Sequence, residues 1–216
     1  MTRARFSLIV FDMDGVLTDS SAGHARAFDE LWAEIGVTIP PAYADIMGRP
    51  TEPVVREFTR HLDPEDADIH RWVAFKQDRA RRYLSVMATF PDALPSVAAL
   101  ARAGFGLALG TGASRRTTLQ LLAHAGLDAF FPVVVTGDDV RLGKPAPETF
   151  TLAIERSGGK PDTSLVIEDS LAGLAAGLAA GAWTASVRTG EKVKHNRFVG
   201  AFPDLAALLP VIQSPA

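Results

Sequence analysis

The sequence predicts an α/β protein whose doubly wound, mainly parallel sheet is interrupted after its first strand by a helical insert. Short apolar runs alternate with helical segments over residues 88–216, which predicts a sheet with helices on both faces. Residues 18–87 break this alternation, because they hold amphipathic helical stretches and no convincing strand. We therefore predict a core of residues 1–17 and 88–216, and a small α-helical cap domain of residues 18–87.

The predicted strands of the core are short and apolar, as expected for buried parallel strands. They cover residues 8–11, 105–109, 133–135, 165–167 and 182–187, with a further strand at 198–199. Helices are predicted at 96–103, from Ser114 to Gly126, at 147–157 and at 171–180. In the second of these helices we expect Leu119, Leu122 and Ala123 to form the apolar face.

The cap domain is predicted from two amphipathic stretches, 24–35 and 65–87. Apolar residues recur at helical spacing in both, including Phe28 and Leu31 in the first. Trp32 and Trp72 fit this pattern as core residues better than as a platform for a substrate. The cap is therefore predicted to have an apolar core of its own.

Composition excludes several classes of function. The 216 residues are 47% hydrophobic and 22% charged, which is typical of a globular protein. There is no cysteine, so disulfides, thiolate catalysis and zinc sites built on cysteine are excluded. The net charge of −3 gives no electrostatic reason to expect a nucleic-acid partner.

Hydropathy predicts neither a membrane span nor a secretion signal. No apolar stretch approaches the roughly 20 residues that a membrane-spanning helix needs. The run Leu8–Phe11 is followed at once by Asp12 and Asp14, where a signal peptide would still need its apolar centre. We expect a cytoplasmic protein without membrane partners.

Polar side chains follow several of the predicted strands. Asp12 and Asp14 follow the first strand, Thr111 the second, and Glu168 and Asp169 the fourth. Because ligands of open α/β sheets bind beyond the carboxyl ends of the strands, we expect these side chains to converge on one rim.

The predicted rim has the composition of a phosphate and cation site. Clustered carboxylates repel one another unless a cation neutralises them, and oxygen ligands without Cys favour Mg²⁺. Lys144, in the loop before the next helix, would offset charge and hold a phosphoryl oxygen. Thr111 with the N–H groups of Gly112 and Ala113 would bind phosphate at a helix N-terminus.

These residues carry a resemblance to a known family. The segment FDMDGVLTDS at residues 11–20 resembles the first motif of the haloacid dehalogenase superfamily. Thr111 resembles its second motif, Lys144 in GKPAP its third, and Glu168–Asp169–Ser170 its fourth. The position of the insert is similar to the helical cap of the subfamily that includes phosphoglycolate phosphatase and β-phosphoglucomutase. The resemblance implies a Rossmann-like core and covers nearly the whole chain.

The resemblance also implies roles for these residues. Asp12 would be the nucleophile that forms an aspartyl-phosphate, and Asp14 the general acid and then the base. Asp12, the backbone carbonyl of Asp14, and Asp169 would hold Mg²⁺, with Glu168 a direct or water-mediated ligand. Thr111 and Lys144 would complete the catalytic set.

Each assignment has a simpler alternative. Asp12 and Asp14 alone would be an acidic turn, and Thr111 or Asp169–Ser170 a helix cap. Lys144 alone would be a surface lysine. The ordered set of motifs favours the functional interpretation of all of them.

Substrate contacts are predicted at Gly112, Ala113 and Ser114 and, in the cap, at His24, Arg49 and Lys76. A lone His or Arg is more often an exposed surface group. Lys76 lies on a basic helix face that is most simply solvated.

The sequence departs from the family pattern at two positions. Asp92 stands in a loop where relatives often have Pro-Gly, and Ala113 stands where many have a hydroxyl. Phosphate contact at the second position would then depend on backbone N–H groups or on Ser114.

The leading functional prediction is a Mg²⁺-dependent phosphatase for a small phosphorylated metabolite such as a sugar phosphate or phosphoglycolate. The alternative enzyme is a hexose-phosphate mutase of the β-phosphoglucomutase type. A dehalogenase fits less well, because Asp14 and the acidic fourth motif suit phosphate chemistry. A non-enzymatic binding protein would be expected to lack one of the catalytic carboxylates.

Overall fold

A computed structural model describes residues 5–46, 51–83 and 88–214. Contacts divide the chain into two compact units, one of Met1–Asp19 with Thr89–Ala216 and one of Ser20–Ala88. We call them the sheet unit and the helical unit. The sequence-based assignment of 1–17 with 88–216 as catalytic core and 18–87 as cap stays a prediction.

The sheet unit contains one parallel sheet of six strands. Its strands are β1 Leu8–Phe11, β4 Gly106–Gly110, β5 Val133–Val135, β6 Ser164–Glu168, β7 Trp183–Val187 and β8 Phe198–Phe202. Their order across the sheet is β5-β4-β1-β6-β7-β8. Strand β1 pairs with β4 on one side and with β6 on the other, where Val10 faces Ala108 and Val166. The predicted fold class is confirmed.

A second sheet pairs two very short strands, β2 Thr18–Asp19 and β3 Ala88–Thr89. Neither strand was predicted from the sequence. Along the chain, β2 precedes the helices of the helical unit and β3 follows them. Two-residue strands carry too little hydrophobic pattern to be detected from sequence.

The helices of the sheet unit connect the parallel strands, as crossover connections require. They are α5 Ala93–Arg102, α6 Arg115–His124, α7 Glu148–Arg156, α8 Leu171–Ala179 and α9 Leu205–Gln213. Left-handed glycines follow several of them, for example Gly104 at φ 84° and Gly181 at φ 78°. The predicted stops at these two glycines are confirmed.

The core of the sheet unit lies between strands and the helices α7 and α8. It consists of buried aliphatic residues and one aromatic residue, among them Val10, Ala108, Phe150, Val166 and Ala176. Phe150 is fully buried, and burial of such a side chain contributes roughly 1.5–3 kcal/mol. This packing fixes the strands whose ends carry the polar residues.

Two features of the sheet unit differ from the sequence-based expectation. The predicted apolar face of α6 is wrong at Leu119, which is 48% exposed, and at Ala123, which is also exposed. Leu122 is buried as predicted, but its buried neighbours are Thr118 and Leu121, so the buried stripe is rotated by one position. Helix α9 was not predicted; its side chain cap is Asp204, which accepts from the N–H of Ala207.

The helical unit contains α1 Ser21–Ile35, α2 Tyr43–Ile46, α3 Thr51–Thr59 and α4 Asp66–Arg82. Helices α1 and α4 pack together, and α3 packs against α4. Phe28 and Trp32 stack at 5.6 Å within a buried cluster, and Trp72 packs against its margin. The core positions predicted for Trp32 and Trp72 are confirmed.

Among the helices of the described ranges, none combines the length and the apolar character that crossing a membrane would require.

Candidate active site

The acidic residues lie where the order of the sheet reverses. Strand β1 is followed along the chain by β4 and β5 on one side, whereas β6, β7 and β8 extend the sheet on the other. Asp12 follows β1, and Asp169 follows Glu168, the last residue of the adjacent β6. The backbone N–H of Asp12 donates to Ile167 O at 2.9 Å, which joins the two strand ends. This reversal is the usual binding crevice of an open α/β sheet.

Lys144 links the two strand ends through its ammonium group. Nζ lies 2.6 Å from Asp12 Oδ1 and 2.6 Å from Glu168 Oε1, and it donates to Gly110 O at 3.2 Å. The lysine is therefore bonded to three strand ends, and its side chain is 13% exposed. Burial alone would lower the pKa of Lys144, but the charges of Asp12 and Glu168 outweigh it and raise the pKa. Lys144 is a partly buried, ion-paired cation and not a surface lysine.

Glu168 is held on both carboxylate oxygens. While Oε1 accepts from Lys144, Oε2 accepts from the N–H groups of Asp169 and Ser170 at 3.0 Å and from the hydroxyl of Ser170 at 2.9 Å. Burial would raise the pKa of Glu168, but these bonds and the charge of Lys144 lower it. Glu168 thus remains ionised as a fixed acceptor.

Asp12, Glu168 and Asp169 form a carboxylate cluster, with one ligand atom from each within 4.8 Å of the others. Burial, then the charges of Glu168 and Asp14, raise the pKa of Asp12 to about 8 against the opposing effect of Lys144. Burial and the neighbouring carboxylates of Asp12 and Glu168 raise the pKa of Asp169 to about 8. Three carboxylates share one ammonium group, so one lysine does not balance the negative charge of the cluster.

Asp14 lies in a tight turn directly after Asp12. Met13 O accepts from the N–H groups of Leu17 and Thr18 at 2.9 and 3.0 Å, and Gly15 N donates to Thr18 O at 2.8 Å. Asp14 is partly exposed and close enough to Asp12 for its charge to raise the pKa of that residue. Its carboxylate is not a member of the three-carboxylate cluster. The turn thus sets a partly exposed acid beside the buried Asp12.

The loop after β4 is fixed by short-range hydrogen bonds. Thr111 is buried, and its Oγ1 accepts from Ala113 N at 3.1 Å. Ser114 caps α6 by accepting from Thr117 N at 3.4 Å, as predicted. Gly112 is exposed, and no atom would lie within 4 Å of a Cβ at this position. Because the Ala113 N–H already binds Thr111, the predicted phosphate contact through that N–H requires this bond to be shared.

Two glycines bring backbone against the carboxylates, and sequence reasoning did not single them out. A Cβ on Gly15 would lie 2.0 Å from Asp169 Oδ2, and one on Gly173 would lie 1.8 Å from Glu168 Oε1. Gly15 also has φ 78°, which an L residue rarely adopts. The pattern Asp-Gly in the first motif was the available signal for Gly15.

Of the three cap residues predicted to contact substrate, the structure describes His24 and Lys76. His24 Nδ1 and Lys76 Nζ lie 2.9 Å apart within the helical unit. Lys76 is 5% exposed and lies 4.6 Å from the ring centroid of Phe28, so the solvated alternative for Lys76 is wrong. Arg49 lies outside the described residues.

The carboxylate cluster fits a divalent cation. Its donors are oxygen atoms of carboxylates, the ligands that hard cations prefer, and their mutual distances suit a shared ion. The cluster carries more negative charge than Lys144 supplies, and a cation at this position would remove the excess. The structure therefore contains an acidic cluster with the composition and spacing to hold a divalent cation.

Comparison with known proteins places this geometry in a family. A family model described as haloacid dehalogenase-like hydrolase matches residues 6–181. Fructose-1-phosphate phosphatase YqaB of Escherichia coli is 32% identical over 188 residues, which cover 85% of this chain and 97% of that protein. β-Phosphoglucomutase of Mycobacterium tuberculosis is 32% identical over 201 residues, covering 79% of this chain and 76% of that protein.

Solved structures agree with this assignment. The crystal structure of CbbY from Rhodobacter sphaeroides in complex with phosphate has a TM-score of 0.76 and 30% sequence identity. The match covers 94% of this chain and 96% of that chain. Because relatives in this hydrolase family are named phosphatases, the prediction of a phosphatase enzyme is confirmed. The chain therefore belongs to the haloacid dehalogenase-like hydrolase family.

Proposed function

We propose that this protein is a Mg²⁺-dependent phosphatase that hydrolyses a small phosphorylated sugar through an aspartyl-phosphate on Asp12. The observation that carries the proposal is the cluster of Asp12, Lys144, Glu168 and Asp169 at the sheet reversal, in which Asp12 and Glu168 are buried and both bond Lys144. The sugar class is supported by the names of similar proteins, one a fructose-1-phosphate phosphatase. Phosphoglycolate is a further candidate substrate.

Phosphoryl transfer begins with attack by an oxygen of the Asp12 carboxylate on phosphorus. The bond between phosphorus and the ester oxygen breaks, and Asp14 gives its proton to the leaving alkoxide. In the second half, Asp14 takes a proton from a water molecule that attacks the phosphorus of the aspartyl-phosphate. The bond from phosphorus to Asp12 breaks, and inorganic phosphate leaves.

The remaining residues bind charge and keep the nucleophile in place. Lys144 donates to Asp12 Oδ1. Its positive charge would also stabilise a phosphoryl oxygen in the transition state. Asp12, the backbone carbonyl of Asp14, and Asp169 would hold the Mg²⁺, with Glu168 nearby. The bound cation would neutralise the carboxylates and the charge of the transferring group. Thr111, Gly112, Ala113 and Ser114 would bind the phosphate.

In the helical unit we assign His24 and Lys76, together with Arg49, to substrate binding. The ammonium group of the buried Lys76 contacts His24 and the ring of Phe28, so this cation is held in a fixed position and is not solvated. Such a residue suits an anionic or hydroxyl-rich substrate better than an apolar one.

The test is release of phosphate from a panel of esters with Mg²⁺ and with a chelator. The panel contains fructose 1-phosphate, glucose 6-phosphate, phosphoglycolate and pyrophosphate. We expect turnover of at least one sugar phosphate, loss of turnover with the chelator, and no turnover by Asp12→Asn. Asp128→Asn, a change at an exposed aspartate, is the matched control and should keep full activity. Folded protein that releases phosphate from no ester would contradict the proposal.

A second candidate is a β-phosphoglucomutase-type mutase, favoured by the 32% identity to a relative of that name. It would use the same Asp12 chemistry but return the phosphoryl group to sugar. Conversion of β-glucose 1-phosphate to glucose 6-phosphate faster than phosphate release would select the mutase. Phosphate release without interconversion would select the phosphatase.

A further inference from the structure

Arg188 bonds the turn that carries Asp14. It is the residue after β7, and its Nη2 donates to Val16 O at 3.0 Å, with Nε at 3.3 Å from the same oxygen. Val16 lies two residues beyond Asp14 in the turn that follows β1. The guanidinium therefore reaches across 172 positions of sequence to hold one backbone carbonyl of this turn.

The guanidinium is itself fixed from two sides. Its Nη2 donates to Asp92 Oδ1 at 2.9 Å, and its carbon lies 3.6 Å from the ring centroid of Phe90. Asp92 Oδ2 accepts from the N–H of Leu205 at 2.7 Å, at the beginning of α9. The side chains of Arg188 and Asp92 are 15% and 19% exposed. Both carboxylate oxygens of Asp92 are thus engaged, one by Arg188 and one by the backbone of α9.

The backbone at this point is unusual. Arg188 has φ 70°, in the left-handed region that costs energy for a residue with a Cβ. Its N–H donates to Phe202 O at 2.9 Å, so β8 holds the strained residue in place. The next residue, Thr189, donates its hydroxyl to Asp169 O. Two consecutive residues therefore bond the two segments that meet at the site, the Asp14 turn and the Asp169 loop.

These two segments touch each other. The backbone of Gly15 lies so close to Asp169 that a Cβ would be 2.0 Å from Oδ2. A shift of the turn would therefore move Asp14 relative to Asp169 and Asp12. Displacement of a reacting group by about 1 Å can reduce a rate by on the order of a hundredfold.

We propose that Arg188, held by Asp92 and continued by Thr189, is a positioning residue that fixes the Asp14 turn against Asp169 for proton transfer. This inference rests on the proposed function, in which Asp14 protonates the leaving group. Arg188 does not act on the substrate itself. Its effect on the reaction passes through Val16 and the turn.

Leaving-group dependence tests the inference. A sugar alkoxide needs the proton of Asp14, whereas the p-nitrophenolate of p-nitrophenyl phosphate leaves without one. We expect Arg188→Lys and Arg188→Ala to lower the single-turnover rate of alcohol release from the sugar phosphate by at least about tenfold. The rate of p-nitrophenolate release should change by less than about threefold, because Asp12 and Lys144 stay in place. Lysine does not reproduce the planar fork in which Nε and Nη2 both donate to Val16 O while Nη2 also bonds Asp92.

Asp92→Asn provides a second variant that removes the charge behind Arg188 and should show the same selective loss. Arg156→Ala is the matched control, because it also breaks an arginine–aspartate pair in the sheet unit, with Asp139 at 3.0 Å. It should lower stability without changing the ratio of the two rates.

Hydrogen–deuterium exchange supplies a readout independent of activity. Exchange of the peptide that contains residues 13–18 should accelerate in Arg188→Ala and stay unchanged in Arg156→Ala. Equal losses on both esters, or unchanged rates and exchange in the Arg188 variants, would overturn this inference alone. Wild-type protein inactive on every ester would overturn the proposed function, while the exchange result would still decide whether Arg188 holds the turn. Should Arg188→Ala fail to fold, Arg188→Lys and Asp92→Asn give the same comparisons.

Discussion

At two positions of the candidate site, the backbone lies so close to a carboxylate that it limits which residues can occupy them. Gly15 and Gly173 lie against Asp169 and Glu168 so closely that a methyl group would overlap the carboxylates. Glycine at these two positions is therefore a condition for the cluster, as are the charged residues themselves. The effect of this overlap on activity can be separated from the backbone strain that alanine causes at a glycine with positive φ.

Replacing Gly15 by alanine should abolish most of the activity. The new Cβ would lie 2.0 Å from Asp169 Oδ2 and force that carboxylate away from Asp12. Gly104→Ala is the control, because Gly104 has φ 84° and no atom within 4 Å of the added Cβ. Both variants should lose about 1 kcal/mol of unfolding free energy from the left-handed backbone. Turnover should fall by at least about a hundredfold in Gly15→Ala alone. Equal activity of the two variants would contradict the predicted overlap.

Replacing Lys144 by methionine should remove the positive charge at similar volume. We expect kcat to fall by about a hundredfold or more, as for loss of one donor to a developing charge. Lys160→Met, at an exposed lysine, is the control and should keep the wild-type rate. The measurement is steady-state turnover of the sugar phosphate at saturating Mg²⁺. A Lys144→Met enzyme with wild-type kcat would show that the ammonium group has no part in transfer.

Much of the site at this scale follows from the sequence. Asp12, Asp14, Lys144 and Asp169 were identified because each belongs to an ordered motif after a strand or before a helix. The contacts of Arg188 were not identified, because its partner Val16 is 172 residues away and no local pattern links them. The burial of Lys76 was missed for a related reason, since its neighbours Phe28 and His24 come from another helix.

Asp139 connects the segment after β5 to helices α6 and α7 of the sheet unit. Asp139 accepts from the N–H and hydroxyl of Thr136 at 2.9 and 2.8 Å. It also accepts from Arg115 of α6 at 2.8 Å and from Arg156 of α7 at 3.0 Å. Burial alone would raise the pKa of Asp139, but the bonds to Thr136 and the two arginines outweigh it and lower the pKa well below its ordinary value. The end of β5 is thereby tied to two helices.

Asp139→Asn should lower the free energy of unfolding by about 2 kcal/mol at pH 7, since the variant loses a charge with several bonded donors. A lowered pKa stabilises the fold above the ordinary aspartate pKa of about 3.9, and this stabilisation declines as the pH falls below it. The difference between wild type and variant should therefore shrink between about pH 4 and pH 2. Urea unfolding at several pH values measures it, with the exposed Asp162→Asn as control. A difference that is independent of pH would contradict the role of the ionised carboxylate.

Elements with a strong local pattern were predicted well. The run Leu8–Phe11 and the helices ending at Gly104 and Gly181 combine apolar periodicity with clear stop signals. Helix α9 lacked such a pattern because it contains Pro210, which usually opposes a helix interior. The face of α6 was misassigned because Leu119, Leu121 and Leu122 permit two helical stripes, and packing chooses between them.

At the scale of the whole molecule, the order of the strands across the sheet decides which sequence motifs become neighbours. The first and fourth motifs follow β1 and β6. These strands are adjacent because the sheet extends from β1 through β4 and β5 on one side and through β6, β7 and β8 on the other. The alternation of strands and helices predicted the fold class, whereas the strand order could not be read from it. The sheet brings Asp12 and Asp169 together from positions 157 residues apart in sequence numbering (169 − 12).

Metal binding should stabilise the whole protein. A ligand that binds the folded state at a concentration of 100 times its Kd contributes about 2.7 kcal/mol. We expect the melting temperature to rise with Mg²⁺ and to return to its starting value with a chelator. Asp169→Asn should remove the rise, whereas the exposed Asp128→Asn should keep it. A melting temperature that does not respond to Mg²⁺ in wild type would argue against the metal site.

Covalent capture of the phosphoryl group is the most direct test of the chemistry at Asp12. Enzyme mixed with a good substrate is quenched in acid, reduced with borohydride and digested, and the peptides are analysed by mass spectrometry. We predict reduction at Asp12, found in the peptide that contains residues 11–15. The reduction should require substrate and should be absent in the Asp12→Asn variant, which retains Asp14. Turnover of the substrate with Asp12 unmodified at every quench time, or capture at another residue, would contradict phosphoryl transfer to Asp12.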